Sequence, residues 1–129
     1  MLKQGKHATL VSWGATVIEA MKAAETLAAE GIDVEVIDVA TLKPLDTATI
    51  IESIRKTGRL VVVHEAPVTC GFGAEVVARV AERGLTNLLA PVERVAGFDT
   101  MMPYSRLETH YLPDVARIAT AVRRIMAYA

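Results

Sequence analysis

Residues 59–66 read RLVVVHEA, and Leu60 to Val63 are four apolar residues without interruption. A strand wetted on one face alternates apolar and polar side chains. A run with no alternation must be covered on both faces, and the usual cover is a layer of helices on each side of a parallel sheet. This stretch therefore predicts a central strand of an α/β domain.

The rest of the chain agrees. ATLVSW (8–13) is a strand-like run. TVIEAMKAAETLAAEG follows it, with Val17, Met21, Ala24, Leu27 and Ala28 on one helical face and Gly31 as a stop. DVEVIDV (33–39) reads as a strand. Pro44 interrupts any ladder, and Asp46 is placed to cap the helix TATIIESIRKTG, whose apolar face is Ile50, Ile51 and Ile54. After the 59–66 strand, PVTCG leads into FGAEVVARVAERG, with Val76, Val77 and Val80 on its inner face. LTNLLAP fits neither pattern, and PVERVAG (91–97) reads as a last strand. FDTMMPYSRLETHYL is loop-rich with one short helical turn. PDVARIATAVRRIMAYA closes the chain as an amphipathic helix, starting at Pro113. The expectation is one domain over residues 1–129: an open, mostly parallel sheet of about five strands with helices on both faces.

Composition narrows the partners. The chain has 14 basic and 15 acidic residues and a net charge of −1, so no basic surplus points to nucleic acid. No apolar run approaches the ~18 residues that span a bilayer. The lone Cys excludes an internal disulfide and fits a reducing compartment. The expected location is the cytoplasm.

Ligands of such sheets bind beyond the carboxyl ends of the strands. HEAPVTCGFGAE (64–75) occupies such an end. Gly71, Phe72 and Gly73 open a helix, where amides and the helix dipole favour anions. A dinucleotide fingerprint would need a further Gly at position 76, which is Val, and a P-loop would need G-K-[ST]. A tight turn with close helix–strand packing is the competing reading. Cys70 lies six residues after His64, which permits a thiol pair without implying one. On the strand, His64 and Glu65 point to opposite faces. His7, His64 and His110 show no metal-ligand spacing. The late loop carries Asp99, Tyr104, Glu108 and His110, and a heavy apolar load in Met101, Met102, Tyr104 and Tyr111 that suits a partner contact. The residues alone supply no complete catalytic or metal set.

The ordered series LKPLD, GRLVVVHEAP, GFGAE, FDT–P and YLPD, from about His7 to Met126, resembles the C-terminal domain of the beta subunit of thiamine-diphosphate-dependent 2-oxo acid dehydrogenases. More broadly it is similar to the transketolase C-terminal domain. The resemblance implies that the chain is a fragment of a beta subunit roughly 2.5-fold longer. The parent would be an oxidoreductase that decarboxylates a 2-oxo acid and transfers the acyl group to lipoyl groups. The resemblance implies thiamine diphosphate and Mg in that parent, held by the alpha subunit and the N-terminal half of the beta subunit, with none bound by this fragment. It implies a heterotetramer with an alpha subunit and a second beta subunit, and contact with the acyltransferase core. The matching region for that contact lies near Ala90–Arg94 and the terminal helix, and Glu93 and Arg94 join the interface candidates. Cys70 stands where many relatives have Gly, and Met102 where Pro is usual. Two other readings remain: a stand-alone anion-binding module using the Gly71–Gly73 helix end, and a thiol enzyme at Cys70.

Overall fold

The computed structural model describes residues 1–128. Ala129, the end of the expected terminal helix run, lies outside the described residues. Four strands, β1 (Ala8–Ser12), β2 (Val34–Asp38), β3 (Leu60–Pro67) and β4 (Glu93–Gly97), form one sheet in the order β2-β1-β3-β4. Every neighbouring pair is parallel. The count is four rather than about five. LTNLLAP supplies no fifth strand: Leu85–Asn87 makes a 3-10 turn, and Leu89 N–H donates to the Gly58 carbonyl at 2.7 Å. The opening residues touch the sheet edge through a single antiparallel bridge, Lys3 to Val36.

Helices α1 (Thr16–Ala29) and α5 (Val115–Met126) cover one face, and α2 (Thr47–Thr57) and α3 (Gly73–Gly84) cover the other. α4 (Glu108–Tyr111) is one turn between β4 and α5. On the first face Ala20, Ala23, Ala24 and Leu27 meet Leu10, Val61, Val63, Ile118 and Val122. The alanines leave room for α1 to lie close to the sheet. On the second face Ile50, Ile54, Val76 and Val80 meet Val11, Leu60 and Val62. Val61 and Val63 thus belong to one core and Leu60 and Val62 to the other, so β3 is buried on both sides. Each such aliphatic side chain stabilises the fold by about 1.5–3 kcal/mol.

Local signals set the helix ends. Asp46 accepts the Thr49 amide at 3.1 Å and caps α2, which stops at Gly58 in the left-handed region. Asp114, rather than Pro113, caps α5 by accepting the Arg117 amide at 2.7 Å. The unpaired amides of the first turn need a side-chain acceptor, which proline lacks.

A polar layer runs under α2. The Thr9 hydroxyl meets Ser53 and Thr57, both at 2.7 Å. Glu35 is shut away from water, accepts the Gly5 amide at 3.2 Å and pairs with Lys56. Burial pulls its acidity toward the neutral form. The bonds from Lys56, Ser53 and Gly5 outweigh that and hold the carboxyl below its ordinary value.

Candidate functional site: the strand-end junction and the late loop

The strand order reverses between β1 and β3, so the carboxyl ends of these two strands mark the switch point of the sheet. Trp13 follows β1 there, and His64 lies within β3. Their rings stack at 5.2 Å between centroids and 8° between planes. Phe72 closes the cluster with its edge to Trp13 at 5.7 Å. His64 is 0% exposed, and neither of its ring nitrogens meets a hydrogen-bond partner. Burial, reinforced by the charge of Arg94 and only partly offset by the Ala66 backbone, pushes the His64 pKa below its ordinary 6.5.

This packing explains the glycines. A Cβ at Gly73 would sit 2.6 Å from His64 Cδ2, and one at Gly71 2.6 Å from His64 Cε1. Only a residue without Cβ lets the start of α3 lie against the imidazole. The Gly71 carbonyl already accepts the Ala74 amide at 2.9 Å, and Glu75 brings a negative charge to the first turn of α3. Cys70 is exposed and holds a left-handed backbone with φ of 60°. Glu65 points outward while His64 is buried, so the two do face opposite ways.

The late loop is built differently. Phe98, Met101, Met102, Tyr104 and Leu107 all expose their side chains, Met101 at 89% and Tyr104 at 96%. Tyr111, expected on this surface, is instead buried: its ring lies over Gly97 and meets the edge of Phe98 at 6.4 Å. Gly97 leaves the space that the phenol fills, and α4 turns the ring inward. Arg117 stacks 4.5 Å over Phe98 and donates to the Ala96 carbonyl at 2.6 Å. Beside the loop, Ala15, Ile18, Leu112 and Pro113 line an open groove of about 500 Å³, with Glu19, Glu65 and Asp114 at its rim. Glu93 and Arg94 sit on β4; Glu93 pairs with Arg124 at 3.1 Å, and Arg94 donates to the Val68 carbonyl at 2.9 Å.

Asp99 ties loop and junction together. Its carboxylate accepts the Thr69 amide at 2.9 Å and the Thr69 hydroxyl at 2.6 Å. Those bonds hold its pKa below the ordinary carboxylate value. Sequence reasoning singled out His64, the glycines and Asp99, but it missed Trp13 and Arg117. An isolated aromatic after a strand and an Arg on a polar helix face carry no periodic signal.

Among the described residues no group of three or more His, Cys, Asp or Glu is placed to hold a metal. No helix among the described residues is long and apolar enough to cross a membrane.

Comparison with known proteins fits this architecture. Residues 1–118 match the family model described as transketolase, C-terminal domain. The chain is 48% identical over 128 residues to the pyruvate dehydrogenase E1 component subunit beta of Leifsonia xyli subsp. xyli, covering 99% of this chain and 38% of that one. It is 48% identical over 112 residues to the corresponding subunit of Staphylococcus epidermidis, covering 87% of this chain and 34% of that one. Among solved structures it is similar to a split-gene transketolase, an inactive β4 tetramer, with a TM-score of 0.85 and 32% identity over 98% of this chain and 40% of that one. The chain thus spans little more than a third of the length of these curated relatives. It belongs to the transketolase C-terminal domain family.

Proposed function

We propose that this domain serves assembly and partner binding in a thiamine-diphosphate-dependent 2-oxo acid dehydrogenase. The parent enzyme decarboxylates a 2-oxo acid and passes the acyl group to lipoyl groups, in the cytoplasm or in the mitochondrial matrix of a eukaryote. The observation that carries the reading is the 48% identity to a pyruvate dehydrogenase beta subunit across 99% of this chain. The structure adds support in the form of an apolar loop, 98–107, that the domain itself does not cover. A contiguous apolar surface of this kind marks a contact with another protein or domain.

In this reading an alpha subunit and the remainder of the beta subunit hold thiamine diphosphate and Mg. The cofactor supplies the carbanion chemistry of decarboxylation when bound. The present residues shape the surface on which subunits meet: Met101, Met102 and Tyr104 supply apolar area, and Glu93 and Arg94 supply a charged rim near the acyltransferase contact. The Gly71–Phe72–Gly73 turn serves as the seat for His64.

The test is a chimera. The matching segment of the Leifsonia xyli beta subunit is replaced by this chain and expressed with its alpha subunit. The expected result is a heterotetramer that releases CO₂ from a 2-oxo acid in the presence of thiamine diphosphate and Mg. A chimeric beta subunit that folds by circular dichroism but stays apart from the alpha subunit contradicts the proposal.

A further inference from the structure

We propose that the His64–Trp13 stack is a proton-released latch that holds the β3–α3 junction, residues 68–73, against the sheet. Four observations carry it. His64 is fully buried, and both ring nitrogens lack a partner. Buried polar atoms are almost always bonded, so two on one ring call for a reason. The ring is covered by Trp13 on a face and hemmed in by the backbone of Gly71 and Gly73 along its Cε1–Nε2–Cδ2 edge. α3 has no side-chain cap, so the positive end of its dipole lies beside the ring, eased only by the charge of Glu75 in its first turn. And the far end of the junction is fastened by Thr69 to Asp99 and by Val68 to Arg94.

This arrangement accepts a neutral imidazole and rejects an imidazolium. A second proton would put a charge in a dry slot, next to a helix N-terminus and under the influence of Arg94. No carboxylate offsets it. Residues 12–16 carry no charge. Glu65 points to the opposite side, and Glu75 of α3 is paired with Arg79 at 2.7 Å. The open junction, with His64 in water, binds the proton at the ordinary value of 6.5, and the closed one resists it. Acid therefore favours opening. The opened junction loosens the hold of Thr69 on Asp99, which opens the apolar loop 98–107. The latch is a property of this chain and stands whether or not the assembly reading holds.

Linkage sets the size of the effect. Below pH 6.5 the open population rises about tenfold for each pH unit, until the closed form itself takes up the proton. The experiment is amide hydrogen exchange on the 129-residue chain at pH 7.5, 6.5, 5.5 and 5.0, with rates corrected to protection factors. The wild type is expected to lose protection along this slope at Val68, Thr69 and Ala74, whose amides are hydrogen-bonded across the junction, with a parallel change in the emission of Trp13, the single tryptophan. His64→Phe keeps a stacked ring and cannot titrate; it is expected to hold its protection constant. His7, whose Nδ1 accepts the Asp33 amide at 2.9 Å, and His110 remain in both proteins and serve as controls. Constant wild-type protection from pH 7.5 to 5.0, or an equal loss in His64→Phe, overturns the latch. Where His64→Phe does not fold, the ring resonances of wild-type His64 decide: a midpoint at or above 6.5 overturns the proposal, and one below it supports it.

Discussion

The junction at 64–73 and the loop at 98–107 lie at the same end of the sheet and share one tether, Asp99 to Thr69. They are opposites in composition and in fate. The junction gathers a His, a Glu, a Cys and two glycines, the residue types of an active site. Its histidine is nonetheless sealed from water by aromatic rings and bare backbone. The loop is chemically bland, yet it leaves Met101 and Tyr104 almost wholly in solvent. His64 and the glycines do packing work while Glu65 and Cys70 stay exposed, and the apolar side chains of the loop are left uncovered by this domain. Side-chain chemistry alone does not locate function; what covers the side chain has to be known as well.

Substitutions on the two sides of the tether can break this contrast. The largest effect is expected at the junction. Gly73→Ala drives a methyl against His64, and urea unfolding is expected to show a loss of about 1–3 kcal/mol. A change of a few tenths would mean that the ring can step aside and that the clamp is loose. Acidification comes next. Because the folded His64 pKa is lowered, its contribution is complete above 6.5 and shrinks as pH falls below that value, when the unfolded chain takes up the proton first. Thermal melts are expected to show the melting temperature falling between pH 7 and pH 5 in the wild type and far less in His64→Phe. Carboxyls with lowered values, Glu35 and Asp99 among them, take effect only on further acidification, below their ordinary 4.5 and 3.8. Asp99→Asn removes the charge that accepts both Thr69 bonds; faster exchange of the Thr69 amide is expected, with a small shift in overall stability. The smallest effect belongs to the loop: Met101→Glu and Tyr104→Glu are expected to move the stability of the domain alone by no more than about 0.5 kcal/mol.

Much of the fold was legible because it rests on periodicity. The uninterrupted Leu60–Val63 run announced a strand buried on both faces, and β3 is one. Asp46 and Gly58 marked both ends of α2. The missing fifth strand and the displaced start of α5 were not legible, since short apolar stretches such as LTNLLAP suit several conformations until packing chooses one. The site was legible only in part. His64 and the glycines could be seen as neighbours in sequence. The stack with Trp13 joins residues 51 positions apart, and nothing local encodes it. Tyr111 was misjudged for the same reason: the space that buries it is made by Gly97, fourteen residues earlier.

Sedimentation of the chimeric beta subunit with its alpha subunit is the sharpest check on the exposed loop as a surface for assembly. With Met101→Glu and Tyr104→Glu together, the account predicts a folded subunit whose association is weakened at least about tenfold, the scale of one lost interface anchor. Association equal to that of the unaltered chimera would contradict it.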